Sequence, residues 1–243
     1  MQVTPTSQSI VYEGRIVLTI RESHKTVPAG VPGPIEAFGL SPDRQWVLYA
    51  IDPQGSASLA ADGLYLRAVR LSGGRTFPVA AGLAYDDYHA WCGGKLVMTA
   101  GGDRIAIHAK RLIITGPPDW HARPLVRAPG RAFGSLACAP NQKSVVVQSQ
   151  KSGTDAYFFH TRWALWRVSL DGSMTQLTRP PANHADESPH FSPNGKIFYF
   201  VRSQHGRGQL FAFEDGHVTG PLLSLGYSLG YYGHQDWPYS VRR

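Results

Sequence analysis

The chain has 243 residues, of which 42% are hydrophobic, 11% aromatic and 17% charged. This length allows one all-β domain or two smaller domains with a buried core, and no window is long and apolar enough for a transmembrane helix. The formal net charge is +7, but the cations are scattered singly without interleaved aromatics, which argues against a nucleic-acid partner.

The first thirty residues predict short strands and no targeting segment. Residues 9–12, 16–21 and 25–30 alternate or run apolar between turn residues, as strands do. Residues 1–9 carry neither a charged head nor an apolar stretch, so the sequence as given has no secretory signal. From the sequence as given, the protein is predicted to be cytoplasmic; if a leader was removed, it is predicted to be exported.

One unit of turn and three strands then recurs along the chain. After Leu40, a Ser-Pro-Asp turn leads into strands at 46–51, 64–69 and 76–79. Cys138 and Phe191 precede the similar turns Ala-Pro-Asn and Ser-Pro-Asn-Gly, because Pro and Asn suit the central turn positions. Trp91 begins a degraded copy and Trp237 opens a fifth. A period near fifty residues with strand and turn content predicts a β-propeller.

The segment 186–213 resembles the repeat of TolB-type, WD40-like β-propellers, with its acidic start, aromatic-Ser-Pro-Asn-Gly-Lys turn and apolar strand. The resemblance implies an all-β fold with a single β-propeller domain spanning residues 1–243. Such propellers serve as scaffolds, receptors, protease gates and sometimes enzymes, so the fold alone does not define the function.

Five blades are predicted, with a ring closed by both chain ends. The approximate bounds are 34–80, 81–128, 131–179, 183–225, and a split blade of 8–30 plus 229–240. In the split blade, the N-terminal strands pair with an inner strand from the C-terminal end, which removes an exposed sheet edge. Six blades are the alternative, and they require residues 103–115 to build a blade of their own instead of an enlarged hairpin.

The two cysteines are predicted to be buried free thiols. Cys92 and Cys138 belong to neighbouring blades, whose inner strands are expected to diverge beyond the roughly 4.4 to 6.8 Å Cα separation that a disulfide allows.

Three blades place a carboxylate at one equivalent point near the entrance to the inner strand: Glu36, Asp87 and Glu187. One hypothesis makes them catalytic, with one carboxylate as nucleophile or base and another as acid, as glycoside hydrolysis requires. The alternative is structural, because acidic residues of this repeat usually accept hydrogen bonds from backbone amides between blades.

Further polar side chains are predicted to gather at the same channel end and to bind a ligand there: His89, His184, Asp186, His190, His234, Gln235 and Asp236. A second hypothesis selects His89, His190, His234 and Asp236 as ligands of a divalent metal, as in metal-dependent lyases on similar propellers. Structural hydrogen bonding is again the alternative.

The repeat is clear, whereas each catalytic hypothesis depends on residues that the repeat itself partly explains. The sequence therefore favours a non-catalytic binding or scaffold propeller that engages a protein or carbohydrate partner at one face and the channel mouth. No cofactor is expected on this interpretation. The alternative is a carbohydrate-active enzyme, either a glycoside hydrolase or a lyase with a divalent metal. The oligomeric state has no signature in the sequence.

Overall fold

The computed structural model describes residues 7–12, 15–21, 35–51, 63–83, 85–105, 107–153 and 162–226, the first two segments and residues 35–36 by backbone alone. Strands dominate these segments, as predicted. Apart from them, one short 3-10 helix, Asp86–Tyr88, lies within the described part of the chain. No helix among the described residues is long and apolar enough to cross a membrane.

Four antiparallel sheets of four strands each follow one another along the chain, and within each sheet the strands pair in sequence order. The first contains β3 (Ile35–Leu40), β4 (Trp46–Ile51), β5 (Leu64–Arg70) and β6 (Thr76–Gly82). The second contains β7 (His89–Cys92), β8 (Lys95–Ala100), β9 (Arg111–Thr115) and β10 (Arg123–Pro124). The third contains β11 (Arg131–Cys138), β12 (Ser144–Lys151), β13 (Ala164–Ser169) and β14 (Met174–Gln176). The fourth contains β15 (Ala185–Phe191), β16 (Ile197–Gln204), β17 (Arg207–Glu214) and β18 (His217–Gly226).

The remaining strands, β1 (Ser7–Tyr12) and β2 (Arg15–Arg21), form an antiparallel pair. The predicted closing strand at 229–240 lies outside the described residues. The count of five blades, the closure of the ring and the single-domain boundary therefore stay predictions.

The predicted turns between the first two strands of the repeat are present and share one geometry. In the fourth sheet, the Ser192 amide donates to the Ile197 carbonyl at 2.8 Å, and the Gly195 amide donates to the Ser192 carbonyl at 2.9 Å. In the third, the Ala139 amide donates to the Ser144 carbonyl at the same 2.8 Å, although Ala139 lacks the serine hydroxyl. The backbone pattern thus survives where the side chain of the repeat is lost.

Consecutive sheets pack face to face through apolar side chains. The core between the first two sheets contains a chain of edge-on indole rings, in which Trp120 lies 5.3 Å from Trp46 and 5.9 Å from Trp91. A second core joins the second and third sheets, and a third joins Val146 and Leu165 to the phenylalanines of the fourth sheet. This succession of cores is the layering expected of neighbouring propeller blades.

The enlarged hairpin predicted within the second blade belongs to the second sheet, since β8 and β9 pair on either side of it. Lys110 is fully buried inside this loop, and its ammonium donates to the carbonyl oxygens of Asp103, Ile105 and His108. Burial lowers the pKa of Lys110 to about 8, so the ammonium form still prevails at pH 7. The loop is therefore built around one internal positive charge.

The prediction of two free thiols is wrong, because Cys92 and Cys138 form a disulfide with a Cα separation of 5.5 Å. Both residues end the inner strands of their sheets, β7 and β11. The turns that follow these strands also touch, since the Gly93 amide donates to the Gln142 side chain at 3.0 Å. The inner strands therefore approach each other at this end instead of diverging, within the range that a disulfide spans.

Candidate functional site

The predicted site residues that the structure describes in the second and fourth sheets lie at or just before the start of an inner strand, except His190, which lies near the end of β15. Neighbouring strands of a sheet are antiparallel. The edge where the inner, first strand begins is therefore also the edge where the second strand ends and the third strand begins. We call this edge of the third and fourth sheets the rim, defined by the strand-end residues Arg131, Lys151, Ala164, Ala185, Gln204 and Arg207.

Asp186, predicted to bind a ligand, is held within its own sheet by Arg202. Its side chain is 0% exposed, and the Arg202 guanidinium binds it through two parallel hydrogen bonds, Nε to Oδ1 at 2.6 Å and Nη2 to Oδ2 at 2.9 Å. The guanidinium carbon also lies 4.7 Å from the Phe211 ring centre. A buried carboxylate needs such a partner, so Asp186 serves the sheet's structure.

Two of the three predicted catalytic carboxylates, Asp87 and Glu187, act electrostatically on Tyr88. Its phenol is buried, which raises its pKa well above 10, and the charges of Asp87 and Glu187 raise the pKa further. Glu187 is 5% exposed and comes from the fourth sheet, whereas Asp87 comes from the 3-10 helix before the second. The structure thus brings this pair into one electrostatic environment. The third carboxylate belongs to Glu36, whose backbone pairs with that of Ala50. The structure describes this residue by its backbone alone.

His89, predicted both as ligand-binding and as metal-binding, packs between the first two sheets. Its ring meets Phe38 edge-on at 5.8 Å and hydrogen-bonds to the backbone of Phe38 and Tyr85. The adjoining cavity is otherwise apolar and measures about 20 Å³, which is room for about one water molecule. Burial lowers the pKa of His89 below 6.5, and the nearby charges of Asp86 and Asp87 oppose this only in part. The described contacts of His89 are those of a neutral packing residue.

This environment predicts a pH-dependent stability. The unfolded chain binds a proton at His89 near pH 6.5, whereas the folded chain resists it until lower pH, so stability is lost as the pH falls through 6.5 towards the folded pKa. We expect the melting temperature of the wild type to fall between pH 7 and pH 5, and His89→Gln to show a smaller fall. Thermal melts across this range measure both slopes. Equal slopes in the two proteins would contradict the prediction, and His190→Gln, on an exposed residue, is the matched control.

The other predicted histidines are less buried. His190 is exposed on β15, and His184 Nδ1 lies 2.8 Å from the Ala182 carbonyl oxygen. Within the part of the chain that the structure describes, no group of three or more His, Cys, Asp or Glu side chains is placed to hold a metal ion. His234, Gln235 and Asp236 lie outside the described residues, so the four-ligand metal site remains a prediction.

Sequence reasoning missed two open pockets on the rim that cationic side chains line. One, of about 470 Å³, lies in the fourth sheet beside His184, Arg202 and Arg207. The other, of about 340 Å³, lies in the third sheet, and we call it the cationic pocket. Its lining residues are Arg131, Ser149, Gln150, Lys151, Arg162, Ala164, Trp166, Gln176, Arg179 and Pro180. The arginines are scattered in sequence, but the predicted strand order would have placed them at one edge.

Solved structures of low sequence identity share this fold. A protein assigned as TolB from Agrobacterium tumefaciens is 18% identical, with a TM-score of 0.52 over 77% of this chain and 64% of that one. TolB from Acinetobacter baumannii is 17% identical, with a TM-score of 0.51 over 84% of this chain and 44% of that one. An oligogalacturonate lyase in complex with manganese is 14% identical, with a TM-score of 0.51 over 78% and 54%. This chain therefore spans less than two thirds of each of these proteins.

No protein-family model matches the sequence, and no curated protein matches it either. The structural likeness confirms the predicted fold: the chain has the all-β propeller fold seen in these TolB structures. Since the neighbours include TolB proteins and enzymes alike, the likeness defines the fold and leaves the role to the site itself.

Proposed function

We propose that this propeller is a binding module that engages a protein partner through the rim. The observation that supports this most is the pair of open pockets on the rim, both lined by cationic and amide side chains. Such surfaces attract and orient an acidic partner before close contact is made. The TolB neighbours are consistent with a role in binding proteins.

The proposal is supported by how the predicted polar residues are used. Asp186 is paired with Arg202 inside the fourth sheet, and His89 packs against Phe38 between the first two sheets. These contacts occupy the side chains of Asp186 and His89 and do not position either of them to bind a substrate. The exposed polar side chains of the rim, such as Gln209, are available to a partner that lands on this edge.

Site-specific photo-crosslinking tests the proposal. A photoreactive amino acid replaces Gln209, which is exposed on the rim, and in a matched variant it replaces Lys196, which is exposed in the turn at the opposite end of the same sheet. In cells of the source organism, we expect a discrete protein adduct from position 209 and none from position 196. The same adducts from both positions, or none from position 209, would contradict a protein-binding rim.

A second candidate is an enzyme that acts on carbohydrate at the channel, favoured by the electrostatic effect that both Asp87 and Glu187 have on the buried Tyr88 phenol. Glycoside hydrolysis needs two carboxylates for its acid and base roles. Incubation with acidic oligosaccharides such as oligogalacturonate, with and without manganese, tests this candidate. The enzyme candidate predicts that the wild type cleaves these substrates and that Glu187→Gln abolishes the cleavage. If the purified wild type cleaves none of them, with or without manganese, the candidate is contradicted.

A further inference from the structure

We infer that the cationic pocket of the third sheet is a binding site for carboxylate groups carried by an acidic peptide segment of a partner. This inference rests on the proposed binding function and names the chemistry of the partner. The site is distinct from the carboxylates around Tyr88, since it lies among the strands of the third sheet.

The first argument is the charge of the walls. Among the residues that the structure describes, four cationic side chains line the pocket: Arg131, Lys151, Arg162 and Arg179. Neither aspartate nor glutamate occurs among these described lining residues. Four like charges around one open volume repel one another, and an anion between them removes this repulsion. The pocket thus favours an anionic occupant by its composition.

The second argument is that two of the guanidinium groups are held in place. Arg131 Nε donates to Ser149 Oγ at 3.1 Å, and the guanidinium carbon lies 4.2 Å from the Trp166 ring centre. Arg162 Nε donates to the Pro180 carbonyl oxygen at 2.8 Å. Guanidinium groups fixed in this way bind a carboxylate with less loss of side-chain entropy. Such fixed donors favour directed hydrogen bonds to a carboxylate over a general electrostatic attraction of any anion.

The third argument is a buried donor that lacks a partner. Gln150 lines the pocket and is 7% exposed, and its Nε2 atom has no hydrogen-bond partner among the described residues. A buried amide N–H without an acceptor is costly, so native proteins rarely keep one. A ligand oxygen in the pocket would supply the acceptor. Trp166 Nε1, another pocket-lining donor, is also without a partner within the described segments.

The size of the pocket indicates the carrier of the carboxylate. A volume of about 340 Å³ lies near the lower end for ligand sites and suits one acidic side chain with its flanking backbone. An extended acidic sugar chain would need a longer groove. Because the pocket is on the edge proposed to contact a protein, an acidic peptide fits both its chemistry and its place.

Fluorescence anisotropy with a labelled peptide of alternating glutamate and glycine tests the inference on the full chain. A peptide with glutamine in place of glutamate is the ligand control. We expect saturable binding of the acidic peptide alone, weakened about tenfold by Lys151→Gln with Arg179→Gln. Both residues are exposed, so the double variant is expected to fold. Gln150→Leu, which removes the amide with no change in charge, is expected to weaken binding severalfold.

The matched protein control is Lys143→Gln with Lys196→Gln, which removes two exposed charges from turns at the opposite ends of the third and fourth sheets. This control is expected to bind within about twofold of the wild type, since distant exposed charges are screened. An equal loss in both double variants would overturn the inference in favour of net-charge attraction. Binding of oligogalacturonate, but not of the peptide, through the pocket would overturn it in favour of an acidic sugar.

The outcome is separable from that of the proposed function. A protein adduct at position 209 without peptide binding would retain the protein-binding rim and reject the cationic pocket as its carboxylate site. Peptide binding that depends on the pocket, without an adduct at position 209, would support the pocket and reject the fourth-sheet part of the rim as the contact surface.

Discussion

Replacing Arg202 by methionine is expected to destabilise the protein by about 3 to 5 kcal/mol, because it leaves the Asp186 carboxylate buried without its counter-charge. For a chain of this size, that corresponds to a fall in melting temperature of about 6 to 20 °C. Methionine keeps much of the apolar stem of the side chain and removes the guanidinium, so the loss reports on the ion pair together with the contact of the guanidinium with the Phe211 ring. Urea unfolding at pH 7 and thermal melting measure it.

Two controls isolate the effect of the pair. Arg167→Met removes an exposed arginine from β13, and it is expected to change stability by less than about 0.5 kcal/mol. Asp186→Leu combined with Arg202→Met removes both charges, and it should recover much of the stability lost by the single change. If Arg202→Met costs less than about 1 kcal/mol, the pair behaves like an exposed salt bridge, and the structural role assigned to Asp186 is wrong.

Loss of the disulfide is the second large expected effect. Cys92→Ala with Cys138→Ala is expected to lower the free energy of unfolding by about 2 to 4 kcal/mol, since the bond closes a loop across a separation of 46 residues and restricts the unfolded chain. The melting temperature should fall by about 4 to 16 °C. A reducing agent should lower the melting temperature of the wild type similarly and leave that of the double variant unchanged.

Counting the reactive thiols of the unfolded protein tests the presence of the disulfide independently. The wild type, unfolded without reductant, is expected to show no reactive thiol, because both of its cysteines are in the bond. Two thiols titrating under these conditions would contradict the disulfide.

The strand content of the sheets could be predicted from the sequence because each unit carries its own local signal. Proline and asparagine in the turns, followed by β-branched and aromatic runs, define two paired strands without reference to the rest of the chain. Even the degraded copy at Trp91 forms a four-stranded sheet, since Gly93 and Gly94 adopt the positive φ that its turn requires.

The pairing of Asp186 with Arg202 could not be predicted from the same local rules. Near the turn, Phe191 faces Phe198, and a regular register from there would place Asp186 opposite Ser203. A bulge between Glu187 and His190 shifts the register by one residue and brings Arg202 opposite Asp186 instead. Ser188, at φ 49°, lies within the bulge, and nothing in its side chain indicates this conformation from sequence.

The disulfide and the cationic pocket escaped prediction for a different reason. Both depend on the distance between strands that are far apart in the sequence, and a repeat period gives strand order without those distances. Gln150 illustrates the limit: its burial, and the lack of a hydrogen-bond partner for its Nε2 atom among the described residues, depend on the neighbouring strands.

The buried ammonium of Lys110 makes the hairpin of the second sheet resemble a cation-binding loop whose cation is covalently tethered. Carbonyl oxygens surround it as they would a metal ion, yet this ion can neither dissociate on dilution nor be removed by a chelator. The loop therefore keeps its shape whatever the ionic composition of its surroundings. The charge is removed by loss of a proton, which with a pKa of about 8 occurs as the pH rises above that value, or by a modification of the amine such as acetylation.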